Sequence, residues 1–381
     1  MQKLGFGLMR LPVLDENDRS TVDVETVKNM VDLYMDRGFT YFDTAHRYND
    51  EMSEPAIREA LVNRYPRESY VLTDKITLNY INKAEDQEPF FKKQLQICGV
   101  DYFDNYLAHN MGSAWYPAAQ HLGTFEFIKR MKDEGYVRHI GFSFHGTADV
   151  LETILQDHPE TEIVQLQINY LDWKDAGIQS QKCYEAARKY GKSVVVMEPV
   201  KGGTLINLPD EVKDMLCVYR PETSPASWAI RFAASLEGVS VVLSGMSDLE
   251  QVQENTDFMQ NFTPLTPQEA TMLEKAAEMI RSRTAIACTS CRYCTTDCPE
   301  NIAIPDYFTL YNNLKRLKNS SYMSNQSVYY MNLTQTHGKA SECIQCGLCE
   351  KNCPQNLKIR DLLYEVSVTF EGTAPLKISD K

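Results

Sequence analysis

Long apolar runs are missing from this chain of 381 residues: runs such as SVVVM and VSVVL fall far below the ~18 residues that suggest a membrane span. No transmembrane helix is expected. The amino terminus, MQKLGFGLMRLP, lacks an apolar core followed by a small-residue cleavage site. A secretory leader is therefore not expected, and the expected location is the cytoplasm. Basic residues are in deficit, with 39 Lys and Arg against 52 Asp and Glu and a net charge of -13. Affinity for nucleic acid rests on cations that neutralise phosphates, so neither nucleic acid nor membrane is an expected partner. Cysteine is scarce in the front of the chain, where only Cys98, Cys183 and Cys217 occur, and these are expected to be buried thiols. The other eight all follow residue 287, and without a secretion signal they call for a metal rather than disulfides.

What is present from Leu4 to about Ile280 is an alternation. Strand-like runs lie at 4–9, 39–43, 70–75, 103–109, 139–144, 163–169, 193–198 and 239–245. Between them apolar residues recur at helical spacing, as in Val27, Met30, Val31 and Tyr34, or Phe125, Ile128 and Met131. Eight strands each followed by a helix within ~250 residues match a closed parallel (β/α)8 TIM barrel, an α/β fold. An open doubly wound sheet is the competing architecture, but no glycine-rich dinucleotide fingerprint follows the first run. Asp43, Lys75, His109 and Ser143 stand at or near the ends of their runs, where a parallel barrel builds its active site. No hairpin precedes the first strand, so the barrel floor is expected to be closed differently or partly open.

The clustered cysteines repeat one pattern, C-x2-C-x2-C-x3-C-P. It occurs as Cys288, Cys291, Cys294 and Cys298-Pro299, and again as Cys343, Cys346, Cys349 and Cys353-Pro354. Two full copies point to two [4Fe-4S] clusters, since zinc sites use separated cysteine pairs. The fourth cysteine of such a run ligates the other cluster in two-cluster ferredoxins. The expected sets are therefore Cys288, Cys291, Cys294 and Cys353, and Cys343, Cys346, Cys349 and Cys298. Helical character between the motifs (Tyr307, Leu310, Tyr311, Leu314, Leu317) makes the module a helical dicluster ferredoxin-like domain over 281–381, behind a barrel over 1–280.

The stretch Phe42-Asp43-Thr44-Ala45-His46-Arg47-Tyr48, then Ser53-Glu54, Thr73-Asp74-Lys75, Tyr106 to Asn110 and Ile140-Gly141-Phe142-Ser143, resembles the aldo-keto reductases. The whole looks like the bacterial branch of that family that carries a carboxy-terminal dicluster domain. The resemblance implies a catalytic tetrad of Asp43, Tyr48, Lys75 and His109. Tyr48 would donate the proton, Lys75 would supply a positive field that favours the phenolate, Asp43 would hold Lys75, and His109 would orient the carbonyl. It also implies a nicotinamide cofactor beside Gly7, Leu8 and Met9, with Ser143 and Gln165 at the carboxamide and Met197 near the ring. Phe144, followed by His145, replaces a frequent asparagine. Ser244, Gly245, Met246, Gln251, Glu254 and Asn255 match the segment that holds the adenosine phosphates. Members that prefer NADPH carry Lys or Arg there, and this chain does not, so NADH or weak discrimination between NADH and NADPH is expected.

Three functions follow from these residues. The first is reduction of a small-molecule carbonyl or related acceptor at the barrel rim. The second is an electron-transfer protein whose clusters serve a partner. The third replaces nicotinamide by a flavin, which would couple two-electron to one-electron chemistry, although no flavin motif is present.

Overall fold

Strands buried on both faces need short, continuous apolar runs, and each of the eight expected runs is a strand. A computed structural model describes residues 2–175, 177–282, 285–288, 290–315, 325–353 and 355–372. Its strands are β1 (Leu4–Gly7), β2 (Val13–Asp15), β3 (Asp18–Val22), β4 (Tyr41–Asp43), β5 (Val71–Ile76), β6 (Phe103–Met111), β7 (Val137–Phe144), β8 (Ile163–Gln167), β9 (Ser193–Met197) and β10 (Val239–Ser244). Eight of them close a barrel in the order β1-β10-β9-β8-β7-β6-β5-β4. All of its neighbours are parallel.

Helices cover the outside as their spacing predicts. The Val24–Asp36 helix buries Val27, Met30, Val31 and Tyr34 and is capped by the Asp23 side chain, which accepts from the Thr26 amide. The Thr124–Asp133 helix buries Phe125, Ile128 and Met131. Among the described residues no hairpin precedes β1. An antiparallel hairpin, β2–β3, follows it instead. This hairpin is pinned by Arg19, which donates to the Met9 carbonyl at 2.6 Å, and by Asn49, which reaches the Leu11 and Arg19 carbonyls at 3.5 and 3.4 Å. It thereby joins the exit of β1 to the loop that carries Tyr48.

After the last barrel helix, Pro267–Arg281, come helices Ile304–Lys315, Asn325–Leu333, Leu348–Lys351 and Ile359–Glu371. They enclose a second apolar core of Ile286, Ile302, Tyr307, Phe308, Leu363 and Val366, into which Ile178 projects from the β8 exit loop. Leu310 and Tyr311 are buried there too. Leu317 and Pro354 lie outside the described residues. The 325–333 helix rests on the carboxyl rim of the barrel. Asn332 and Asn110 exchange side-chain amide hydrogen bonds at 3.1 and 3.5 Å, and the Tyr329 ring stands against His145.

Cys98 and Cys183 are buried as expected, whereas Cys217 is exposed. Cys217 lies on the outward face of the Asp210–Tyr219 helix, which turns Val212 and Leu216 inward. Among the described residues no helix is long and apolar enough to cross a membrane.

Candidate active site and cluster pockets

The carboxyl ends of three neighbouring strands bring the four expected catalytic side chains together. Asp43 closes β4, Lys75 lies near the end of β5, and His109 near the end of β6. Tyr48 stands on the turn after β4. Lys75 is fully buried, and its ammonium donates to Asp43 Oδ1 at 2.6 Å and to the Thr44 carbonyl at 2.7 Å. That ammonium is 5.0 Å from the centre of the Tyr48 ring, within cation–π range. The Tyr48 and His109 rings meet edge to face at 5.9 Å. The Thr77 hydroxyl lies 2.8 Å from His109 Nδ1 and fixes the imidazole, which leaves Nε2 for a ligand.

Burial governs the protonation of this group. It would lower Lys75, but Asp43 and Tyr48 outweigh it and hold the ammonium above its ordinary value. Burial pushes the Tyr48 phenol up, and Lys75 pulls it back only in part. The positive field of Lys75 thus favours the phenolate as expected but does not reverse the rise, because the desolvated phenolate costs more than one ammonium restores. His109 is driven well below the usual imidazole value by burial, with Lys75, Arg47 and His145 acting in the same direction. A neutral imidazole, a protonated phenol and a permanent cation therefore share the rim.

The cysteines sort into two pockets. One is lined by Cys288, Cys291, Cys294 and Cys353, the other by Cys298, Cys343, Cys346 and Cys349. Ile304 contributes to both walls. The two loops repeat one backbone: Ser290 and Gln345 take positive φ of 55° and 61°, Arg292 and Gly347 of 66° and 77°, and Asn301 and Asn356 of 50° and 51°. Arg292 occupies the conformation that glycine favours and forks onto Asp306 at 2.6 and 2.9 Å. Four thiolates in each pocket are the donor set of a [4Fe-4S] cluster, so the residues fit that group. Ser290 and Ile302 amides approach Cys288 and Cys298 sulfur at 3.4 Å.

The profile described as Aldo/keto reductase family matches residues 3–278. The chain belongs to the aldo/keto reductase family. A second profile, 4Fe-4S dicluster domain, matches residues 287–357. An uncharacterized oxidoreductase of Schizosaccharomyces pombe is 25% identical over 266 residues, which covers 67% of this chain and 80% of the relative. An aldo-keto reductase of Mycolicibacterium smegmatis is 26% identical over 237 residues, covering 61% and 78%. Among solved structures, the aldo-keto reductase of Bacillus halodurans in its holo form has a TM-score of 0.57 at 24% identity, over 72% of this chain and 91% of that one. The Klebsiella pneumoniae aldo/keto reductase in complex with NADP and acetate has a TM-score of 0.57 at 18% identity, over 72% and 90%.

In this aldo/keto reductase barrel the residues expected to hold nucleotide lie along the exits of β1, β7, β8, β9 and β10. Gln165 already donates to Asp43 Oδ2 at 3.0 Å, and the Ser143 hydroxyl accepts from the Asn110 amide at 2.7 Å. Gly7 lies beside the Ser244 carbonyl, where a Cβ would find ordinary contact at 3.5 Å. Asn255 donates to the Ser244 hydroxyl at 2.9 Å, and Gln251 accepts from the Ser247 amide at 3.0 Å. Leu8 and Met246 are fully buried, while Met9 and Met197 are half-buried and Glu254 is exposed. Phe144 is buried in the barrel core. Sequence reasoning missed Thr77, two residues beyond Lys75, and Arg10. The Arg10 stem runs against Gly245, while its guanidinium points to Gly202 and lies 3.9 Å from Glu198.

Proposed function

We propose that this chain is a nicotinamide-dependent carbonyl reductase, with residues 1–280 as its catalytic barrel and 281–381 as an electron-carrying dicluster domain. One observation carries the reading: Asp43, Lys75, Tyr48 and His109 converge at one rim, around a single buried ammonium. A reduced nicotinamide held beside Ser143 and Gln165 would supply the hydride that the carbonyl carbon takes up. Tyr48 gives its phenolic proton to the oxygen, which yields the alcohol. Lys75 steadies the phenolate left behind and is itself held by Asp43. His109 Nε2 orients the carbonyl oxygen. A donor and a positive field fixed in advance, away from bulk water, are what the developing oxyanion requires.

Ser143 and Gln165 would hold the carboxamide. Ser244, Gly245, Gln251 and Asn255 would hold the far end of the nucleotide. No Lys or Arg lies in the Ser244–Asn255 segment, and the Arg10 guanidinium turns to Glu198 and Gly202, so NADH and NADPH should bind within about a hundredfold of each other, about 2.7 kcal/mol. The test is anaerobic purification with iron, sulfide and released-cofactor analysis, followed by NADH and NADPH titration and aldehyde-dependent NADH oxidation. Two clusters, no flavin and aldehyde-dependent oxidation are expected. Tightly bound flavin, or clusters without any nicotinamide binding, would overturn the reading.

A further inference from the structure

Hydride and proton transfer leave two polar groups at the rim without a task. His145 follows β7, and its buried Nδ1 has no hydrogen-bond partner among the described residues. It is close enough to His109 to act on its protonation. Tyr329 comes from the cluster domain and meets the His145 ring edge to face at 5.2 Å and 83°. The Tyr329 hydroxyl makes no hydrogen bond to a described residue. A buried unsatisfied polar atom such as the His145 nitrogen is uncommon in native proteins, and beside a catalytic imidazole, with an uncommitted and partly accessible Tyr329 hydroxyl on the ring that touches it, it calls for a ligand.

Their position is fixed from both sides. Asn332, one helical turn beyond Tyr329, is tied to Asn110. Asn110 adjoins His109, has a positive φ of 60°, and donates its amide to Ser143. The cluster domain therefore cannot leave the rim without disturbing the residue next to His109.

We propose that His145 and Tyr329 form a second polar subsite of the substrate pocket, shared by the two domains, which binds an uncharged oxygen of the substrate. This rests on the carbonyl-reductase reading and narrows its substrates to hydroxycarbonyl or dicarbonyl compounds. Both groups are neutral: burial holds the imidazole down to about 4, and burial together with Asp172, Asp175 and Glu198 keeps the phenol protonated.

The test compares glyceraldehyde, which has hydroxyls on both carbons beyond the carbonyl, with propanal of equal chain length. Wild type should favour glyceraldehyde in kcat/KM. Tyr329→Phe and His145→Phe keep the ring contact and should each reduce that preference about fivefold, the worth of one neutral hydrogen bond. Iron and sulfide content checks that the domain stays assembled, and if Tyr329→Phe loses its clusters, His145→Phe decides. An unchanged preference with intact clusters would overturn the subsite and leave the pair as packing between domains. If wild type reduces neither aldehyde, the catalytic reading fails on its own. Saturation-transfer NMR of the same two compounds then decides the subsite: stronger transfer to glyceraldehyde that both variants level supports it, and equal transfer overturns it.

Discussion

Lys75 sits with no exposed surface between Asp43, the Thr44 carbonyl and the Tyr48 ring, and the titration of the site follows from that placement. Tyr48 must be protonated to act as donor, so its contribution is complete below its pKa and lost as pH rises through it. Burial lifts that value above the ordinary phenol near ~10. The kcat/KM for aldehyde reduction should therefore stay level from about pH 7 to 9 and fall only beyond about 10, with no limb from His109, which is already neutral there. A fall centred near pH 8 would mean that another group supplies the proton.

Asp74 makes an independent prediction. Its carboxyl is buried within 4.8 Å of Glu54 and Cys98, and burial, reinforced by Glu54, raises it well above the ordinary value. Below the ordinary carboxylate value Asp74 is protonated in both the folded and the unfolded chain. Above it only the unfolded chain ionises, so wild-type stability falls as pH rises. Asp74→Asn keeps an acceptor for the Lys75 amide, 2.8 Å from Asp74 Oδ1, and removes that slope. Its stability relative to wild type should grow from pH 4 to pH 7 in chemical denaturation, and an unchanged difference would refute the assignment. Asp43, Lys75 and His109 were legible because each stands at or near the end of an apolar run, whereas Tyr48, on the turn after β4, was legible only through the family resemblance. Thr77, His145 and Tyr329 were not, because their importance comes from partners distant in sequence.

At the scale of elements, buried parallel strands announce themselves, and all eight were legible within a few residues. The β2–β3 hairpin was not, because its strands are short and largely exposed, with Leu14 76% exposed, and so carry no apolar pattern. The glycine of the Gly141-Phe142-Ser143 motif has a physical reason that sequence did not disclose. A Cβ at Gly141 would lie 2.0 Å from the Ile163 carbonyl oxygen on β8. Gly141→Ala should push β7 from β8, lower stability by about 1–3 kcal/mol and weaken NADH binding through the displaced Ser143. Thermal unfolding and nucleotide titration check both, and a variant as stable as wild type would contradict this packing.

Over the whole molecule, the cluster domain faces two ways. It seats Tyr329 and Asn332 on the barrel rim and leaves Cys291 and Cys346 exposed, with Tyr293, Ile344 and Leu348 exposed beside them. The amino-terminal ends of the 304–315 and 359–371 helices line the Cys288 pocket, and their dipoles favour the added negative charge of a reduced cluster. If the clusters carry electrons, reduced viologen without NADH should drive substrate reduction, and Cys291→Ser should depress that reaction more than NADH-driven turnover. No viologen-driven product from protein that holds both clusters would leave them structural. The cysteine motifs made the clusters legible, and the domain's place directly after the last barrel helix pointed to the carboxyl rim that it covers, but which side chains meet there depends on contacts that no motif encodes. The most direct test is Tyr48→Phe, which keeps the ring beside Lys75 and removes only the hydroxyl that carries the proton. The account predicts that NADH-driven aldehyde reduction falls by about 10²–10⁴-fold while NADH affinity and iron content hold. Turnover near the wild-type rate under anaerobic conditions would contradict it.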